Sequence, residues 1–411
     1  MKSVRENKGN KEIYNHALSP DEETLKQFEH CYNESFVVKA ALMPDAHSGY
    51  VAPIGAVLVT KEFIVPSWVG YDIGCGMTAV KLTGKGILNE IKENSKKIYD
   101  QVVRDIPMGL GEIHKKNALS EEGKKKFDLL LSKFKKGEHN KSILNFLESG
   151  KAERSLGSLG HGNHFIELSY SGDEGKMSKG SDEQAWIVIH SGSRGVGYKV
   201  AQEYMKMSSG MKKGYEETYP LKDSSQLGKE YLNILEFGLE FALLNRMEMI
   251  RKVINAVEKV LGKKIKWELI VNKNHNHAIK EKQKEGYVYV HRKGATPAKK
   301  GELGVIPANM KDGAFIVKGK GNKEFLQSSS HGAGRAMSRS QARQKINLEH
   351  FKKEMSEAGI QGTVNESTLD EAPEAYKNIY DVMEAQKDSV SIITHLIPLI
   401  NWKGTNRRRR R

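Results

Sequence analysis

Between positions 36 and 82 short apolar runs alternate with breaks rich in proline and glycine, a rhythm that predicts strands over 36–42, 54–60 and 77–82. The spacing then changes. Over 88–103 the apolar residues Ile91, Ile98 and Val102 fall on one face of a predicted helix. The stretch 124–136 is dense in charge and reads as a surface helix or an insertion, with an RNA-contacting basic patch as the alternative. A continuous apolar run, Trp186-Ile187-Val188-Ile189, has the pattern of a buried strand, and 265–271 alternates mostly with period two. The longest helical candidate is 231–261, apolar nearly all round from 232 to 244 and therefore expected to be buried. A short strand at 315–317, a helix at 336–346 and a helix at 371–390 opened near Pro373 complete the pattern. Strands and helices mix without a regular βαβ period, so the expected class is α+β, with central sheets flanked by helices. The apolar run 392–400 is too short to cross a bilayer and contains Pro398, so it belongs to the core.

The places where apolar runs end carry the chemistry. Asp72 and Cys75 stand three apart in Gly70-Tyr71-Asp72-Ile73-Gly74-Cys75-Gly76, where a sharp turn would let a carboxylate and a thiolate face one ion. A buried turn around a small apolar cysteine is the plain alternative. His164 sits where a glycine-rich turn enters an apolar segment, and His190 closes the run from Trp186. His275 and His277 follow the alternating segment, two apart and so on one face of a continuing strand, and His331 lies in Ser330-His331-Gly332-Ala333-Gly334-Arg335. Any one of these histidines suits a structural role. Their repeated placement at the junctions of strands and glycine-rich loops is the arrangement of a site built on a rigid scaffold.

Composition narrows the partners. Lys and Arg number 66 against 51 Asp and Glu, a formal charge of +15, which points to a polyanion. Five of these charges are Arg407 to Arg411, a tail that reads as disordered or appended, and +10 remains without them. Two cysteines, Cys31 and Cys75, cannot form a disulfide framework and suit a reducing compartment, and the first residues show no signal-peptide core. The expectation is a soluble cytoplasmic protein with no membrane partner. Neither a Gly-x-x-x-x-Gly-Lys-Ser/Thr loop nor a Lys-x-Asp-Gly segment is present; Met310-Lys311-Asp312-Gly313 misses the latter by one place.

With these residues in view the chain resembles the RtcB family of RNA ligases. The resemblance runs through Met43-Pro44-Asp45-Ala46-His47-Ser48-Gly49, Val69-Gly70-Tyr71-Asp72-Ile73-Gly74-Cys75-Gly76-Met77, Leu156-Gly157-Ser158-Leu159-Gly160-His161-Gly162-Asn163-His164-Phe165 and His190-Ser191-Gly192-Ser193-Arg194-Gly195. It continues through Arg292-Lys293-Gly294-Ala295 and Ser330-His331-Gly332-Ala333-Gly334-Arg335-Ala336-Met337-Ser338-Arg339 to Trp402-Lys403-Gly404. Because these motifs would have to meet at one site, residues 1–404 are expected to form one interlaced catalytic domain, with 405–411 as the basic tail.

The resemblance implies a GTP-dependent ligase with two manganese ions. Asp72, Cys75, His164, His190 and His275 would hold them, the Cys75 sulfur bridging the pair, with Asp72 and His164 on one ion and His190 and His275 on the other. His331 would be the nucleophile that takes GMP; the amides of Gly332, Ala333 and Gly334, read as the mouth of a helix, could cradle phosphate. Arg335 and Arg339, one turn apart, would clamp phosphate, and Asp45 would lie near the incoming hydroxyl. Guanosine and its phosphates would meet Asn163, His164, Phe165, Ile166, Glu167, His275, Asn276, the loop Pro307-Ala308-Asn309-Met310, Tyr376 and Lys403. Ala308-Asn309 stand where the family has Gly-Ser, and Ala314 where it has a hydroxyl, departures that bear on nucleotide affinity. The implied substrates are RNA with 3'-phosphate or 2',3'-cyclic phosphate ends and RNA with 5'-hydroxyl ends, from tRNA splicing or RNA repair, with an activating protein as a further candidate partner. A metal-dependent cyclic phosphodiesterase and a non-catalytic RNA-binding homologue are the competing classes.

Overall fold

A computed structural model describes residues 4–8, 11–171, 184–283 and 286–405; of the basic tail, positions 406–411 lie outside the described residues. Two antiparallel-rich sheets organise the chain. The first runs, in spatial order, Val4–Lys8, Lys11–Asn15, Val37–His47, Ile54–Thr60, Gly286–Lys293 and Asn276–Gln283. The second runs Lys266–Asn274, Gly76–Thr83, Ala185–Ser191, Phe165–Ser171, Val390–Lys403, Ala314–Gly319 and Leu303–Pro307, with Gln361–Gly362 pairing beside Val390–Lys403. The mixture matches the expected α+β class. His275 alone separates Lys266–Asn274 in the second sheet from Asn276–Gln283 in the first, so the chain passes between sheets at a candidate ligand.

The long apolar segment is the helix Gln226–Leu261, opened by Ser225, whose side chain accepts from the Gly228 amide, and closed at Gly262 with φ 67°. Its C-terminal half buries Ile250, Val253, Ile254 and Val257 with Val80, Ile166, Ile187 and Ile189 of the second sheet. The N-terminal half packs Tyr231, Ile234, Phe237 and Phe241 into a separate cluster. The charged stretch is the helix Glu121–Lys136. Its buried Phe127 and Phe134 join that cluster, each worth about 1.5–3 kcal/mol of burial. Its lysines meet acids, Lys124 with Asp128, Lys126 with Glu122 and Lys133 with Glu236, as on a solvated face.

Three predicted helices differ. The segment 88–103 is two helices, Ile87–Glu93 and Ser95–Asp105, broken at Asn94, whose side-chain amide donates to the Glu90 carbonyl. The 336–346 helix shrinks to Arg339–Lys345 because Ser338 and Gln341 form a capping box there. In place of a helix over 371–390 stand two 3-10 turns, Glu366–Glu371 and Pro373–Ala375, the short helix Ile379–Ala385 and the start of the strand Val390–Lys403. That last strand tolerates Pro398 because its register shifts between Pro398 and Ile400.

Candidate metal and nucleotide site

Adjacent strands of the second sheet deliver the candidate ligands in a row. Asn274 pairs with Gly76, Gly76 with Ser191, and His190 with Phe165, so His275, Cys75, His190 and His164 all lie at one end of four neighbouring strands. Local turns fix the Cys75 end. The Cys75 amide donates to the Asp72 carbonyl, and the His275 amide donates to the Cys75 carbonyl at 2.7 Å. Gly76 permits this approach, since a Cβ there would lie 2.0 Å from the Lys273 carbonyl oxygen.

Two ligand triads result, Asp72 with Cys75 and His164, and Cys75 with His190 and His275; Cys75 belongs to both. Its Sγ lies 3.3 Å from His164 Nε2 and 3.1 Å from His190 Nε2. His190 Nε2 is 3.2 Å from His275 Nε2, and His164 Nε2 is 2.8 Å from Asp72 Oδ2. Backbone carbonyls orient two rings from behind: His164 Nδ1 meets Leu159 O at 3.1 Å and His190 Nδ1 meets Asn163 O at 3.1 Å. With the proton on Nδ1, each ring turns the Nε2 lone pair inward. Burial, then neighbouring histidines, push His190 and His275 well below the ordinary imidazole range, which keeps them neutral as ligands must be. Burial opposes ionisation of Asp72, but His164 and then Cys75 outweigh it and hold the carboxyl at about 2. Burial, followed by Asp72, pushes the Cys75 thiol up, so loading a cation there would release its proton. Inward lone pairs, a low carboxylate and a shared sulfur fit a pair of divalent cations.

The long helix locks this arrangement through two polar residues in its apolar body. Arg246, fully buried, donates from Nη1 to Gly74 O and Ser191 O, both at 2.9 Å, and from Nη2 to Asn274 Oδ1 at 2.7 Å. Each of those groups neighbours a ligand. Asn245 accepts from the Gly157 and Ser158 amides and donates to Gly192 O.

His331 stands beside the centre, its ring centroid 4.9 Å from that of His275. Its Nδ1 lies 2.7 Å from Asp45 Oδ2, and the same oxygen accepts from the amides of His331 and Gly332. Asp45 therefore grips the loop and the ring together and leaves Nε2 free. The Gly332-Ala333-Gly334 segment is not a helix mouth: the Gly332 amide is taken by Asp45 and the Ala333 amide donates to Pro307 O, while the helix begins only at Arg339.

A cavity of about 1310 Å³ joins these groups to the candidate guanosine contacts Asn163, Phe165, Glu167, Asn276, Pro307, Ala308, Asn309, Met310, Tyr376 and Lys403. Ile166 is the exception. Strand alternation sends Phe165 and Glu167 toward the cavity and turns Ile166 into the core under the long helix. Asn309 spends its side chain on its own turn, accepting from the Lys311 and Asp312 amides, so it offers less to a base than its amide chemistry suggested. Asn276 is likewise engaged, donating to Asp72 O and accepting from the Gly294 amide. Ala314 packs in an apolar cluster with Phe165 and Leu396 and does not line the cavity. His277 is buried one residue inside the first sheet, where its strand has left the second; among the described residues both ring nitrogens lack hydrogen-bond partners, and it does not line the cavity.

The family model described as tRNA-splicing ligase RtcB matches residues 27–404. The chain belongs to the RtcB family. It is 33% identical over 379 residues to "RNA-splicing ligase RtcB1" of Escherichia coli strain ATCC 25922, covering 89% of this chain and 90% of that protein. "RNA-splicing ligase RtcB" of Escherichia coli K12 is 33% identical over 381 residues, with the same coverage of 89% and 90%. "tRNA-splicing ligase RtcB" of Nanoarchaeum equitans is 28% identical over 424 residues, covering 88% and 87%.

Within this RtcB site the structure adds a residue that the sequence reading passed over. Glu371 Oε2 meets Lys403 Nζ at 2.7 Å and accepts from the Tyr376 hydroxyl at 2.6 Å, and its other oxygen pairs with Arg339. Burial opposes its ionisation, yet Lys403 and Arg339 hold it well below the usual carboxylate range. Arg335 precedes the helix and donates to the Asp370 and Met337 backbone carbonyls, its Nη1 standing 3.5 Å from Glu371 without a hydrogen bond among the described residues, while Arg339 pairs with the Asp370 and Glu371 carboxylates. Glu371 gave no signal because it was placed inside a helix. Asn245-Arg246 did give one, a polar pair within an apolar helical run. No helix among the described residues is long and apolar enough to cross a membrane.

Proposed function

We propose that this protein is a GTP- and manganese-dependent RNA ligase that joins RNA 3'-phosphate or 2',3'-cyclic phosphate ends to 5'-hydroxyl ends through a guanylylated His331. One observation carries the reading: two ligand triads share Cys75 beside an imidazole whose Nδ1 is held by a buried carboxylate. Membership of a family whose members are named RNA-splicing ligases supports it.

Asp45 keeps the proton on His331 Nδ1, so the Nε2 lone pair can attack the α-phosphorus of GTP; the N–P bond forms as the bond to pyrophosphate breaks. GMP then passes to the RNA 3'-phosphate. The RNA 5'-hydroxyl attacks that activated phosphorus, its proton leaves to base, and GMP departs. Two divalent ions, held by Asp72, Cys75 and His164 and by Cys75, His190 and His275, would supply Lewis-acid neutralisation of phosphate charge. Manganese itself rests on the family resemblance. Lys403, fixed by Glu371 beside the Phe165 ring, would donate to the guanine carbonyl oxygen, a contact that an adenine amino group cannot accept. Residues 1–404 would work as one catalytic unit in a reducing cytoplasm, on spliced tRNA halves or broken RNA.

The test is a joining reaction with two oligoribonucleotides, one ending in 3'-phosphate or, in a second arm, in 2',3'-cyclic phosphate, and the other beginning with 5'-hydroxyl. Ligation that requires GTP and manganese supports the reading. Opening of a cyclic end without joining would replace it with a phosphodiesterase.

A further inference from the structure

One wall of the same cavity is lined by Tyr50, Tyr71 and Tyr198. Tyr71 immediately precedes the ligand Asp72. Its ring stacks on Tyr198 with centroids 5.0 Å apart and planes at 22°, and Tyr50 meets it edge-on at 5.8 Å and 83°. The Tyr71 hydroxyl donates to Glu216, which fixes that ring. Tyr71 covers one face of Tyr198, yet Tyr198 remains 53% exposed and Tyr50 75% exposed. Aromatic rings left this open contribute little to a core, and their cost is justified by something that stacks on them.

Charge on the same wall identifies the occupant. Lys293 lines the cavity, is buried, and has Ser67 O as its hydrogen-bond partner at 3.4 Å, with no carboxylate in ion-pair range among the described residues. The Lys293 stem passes beside the Gly70-Tyr71 turn: a Cβ built on Gly70, whose φ is +81°, would lie in ordinary contact with Lys293 Cε at 3.5 Å. A buried cation lacking a counter-ion next to open aromatic faces has the chemistry that holds single-stranded nucleic acid, phosphate on the cation and base on the ring.

We infer that Tyr50, Tyr71 and Tyr198 form a stacking platform for the unpaired base at an RNA end, with Lys293 taking an adjoining phosphate. The inference rests on the ligase reading for the identity of the nucleic acid. It explains how an end of any sequence is brought to the metal centre, since every base offers a π-face.

The experiment measures binding of oligoribonucleotides carrying 2-aminopurine as the terminal base, in separate 3'-phosphate and 5'-hydroxyl arms, with metal-loaded protein and no GTP. In at least one arm, wild type should quench the terminal fluorophore, and that arm identifies the strand on the platform. Tyr50→Ala and Tyr198→Ala should weaken binding by roughly 5- to 150-fold, the range for losing one base stack. Tyr50→Phe and Tyr198→Phe should stay within about twofold of wild type, because stacking needs the ring and not the hydroxyl. An abasic terminal nucleotide should lower wild-type affinity to that of the alanine variants, a readout independent of variant folding. Alanine variants that bind as wild type does, phenylalanine variants as weak as alanine, or indifference to the abasic end would each overturn the platform. GMP-adduct formation by wild type with GTP alone is read separately: its absence would refute the ligase reading, and the binding comparison would still decide the platform.

Discussion

Replacing Asp45 by Asn probes how His331 is made ready. In the native site one carboxylate oxygen receives His331 Nδ1 at 2.7 Å together with two backbone amides, and the residue is fully buried. Asn keeps an oxygen of the same shape and removes the charge. In the proposed guanylylation Nε2 bonds to phosphorus and the ring becomes cationic, and the carboxylate should then matter most. Exchanging a charged for a neutral hydrogen bond costs about 1.5 kcal/mol. Two unit charges about 4 Å apart at an effective dielectric of 20 attract by about 4 kcal/mol, which sets the upper limit. Single-turnover formation of the enzyme–GMP adduct should therefore slow by roughly 10- to 1000-fold in Asp45→Asn, read with radiolabelled GTP on acid gels. Asp45→Ala should lose more, because two buried amides are also stranded at about 1–3 kcal/mol each. A wild-type rate of adduct formation in Asp45→Asn, with failure only at the joining step, would refute this argument and move Asp45 to the incoming hydroxyl.

Cys75→Ser should reduce both metals bound per protein, whereas His275→Gln should weaken mainly one; elemental analysis of purified variants checks this, and two retained ions in Cys75→Ser would remove the bridge. Burial raises the Glu167 carboxyl from its ordinary 4.5 to about 7, so the folded chain holds a proton that the unfolded chain has released between these values. Stability should consequently fall as pH rises from 4.5 to 7 and level off above, by on the order of 3 kcal/mol from this group, and denaturant unfolding of Glu167→Gln should lose that slope. Glu371→Ala leaves Lys403 buried without its partner and should destabilise the fold by about 3–5 kcal/mol, seen as a lower Tm. Lys403→Ala should narrow the preference for GTP over ATP in adduct formation, and unchanged selectivity would remove Lys403 from guanine recognition. Ala314→Ser should leave GTP binding unchanged, since that position faces apolar neighbours.

Much of the candidate site was legible because the candidate ligands occupy strand ends. A glycine-rich loop that starts or stops an apolar run marks a corner, and Cys75, His164 and His190 sit at such corners, whereas His275 lies between two strands with no glycine beside it. The expectation that they share Cys75 came from the family resemblance, since no local pattern encodes the strand order that brings the two triads together. Helix limits were less legible where a side chain competes with the backbone: Asn94 splits one helix, and Ser338 delays another until the loop after His331 has passed. That delay changed the chemistry, since the loop amides answer the Asp45 carboxylate and the Pro307 carbonyl instead of a phosphate. Ile166 shows the limit of transferring a motif residue by residue, because strand alternation lets through only its neighbours Phe165 and Glu167. Glu371 was hidden for a further reason. A buried acid compensated by Lys403, Arg339 and Tyr376 is a property of distant chain segments meeting, and locally Glu371 reads only as the first residue of the helix predicted over 371–390.

The most direct measurement is transfer of label from α-phosphate-labelled GTP to the metal-loaded protein, with the labelled residue located by peptide mapping. An acid-labile adduct should form on His331, with GTP in preference to ATP, and be absent in His331→Ala. An adduct that persists in His331→Ala, or label found on another residue, would rule out His331 as the nucleophile.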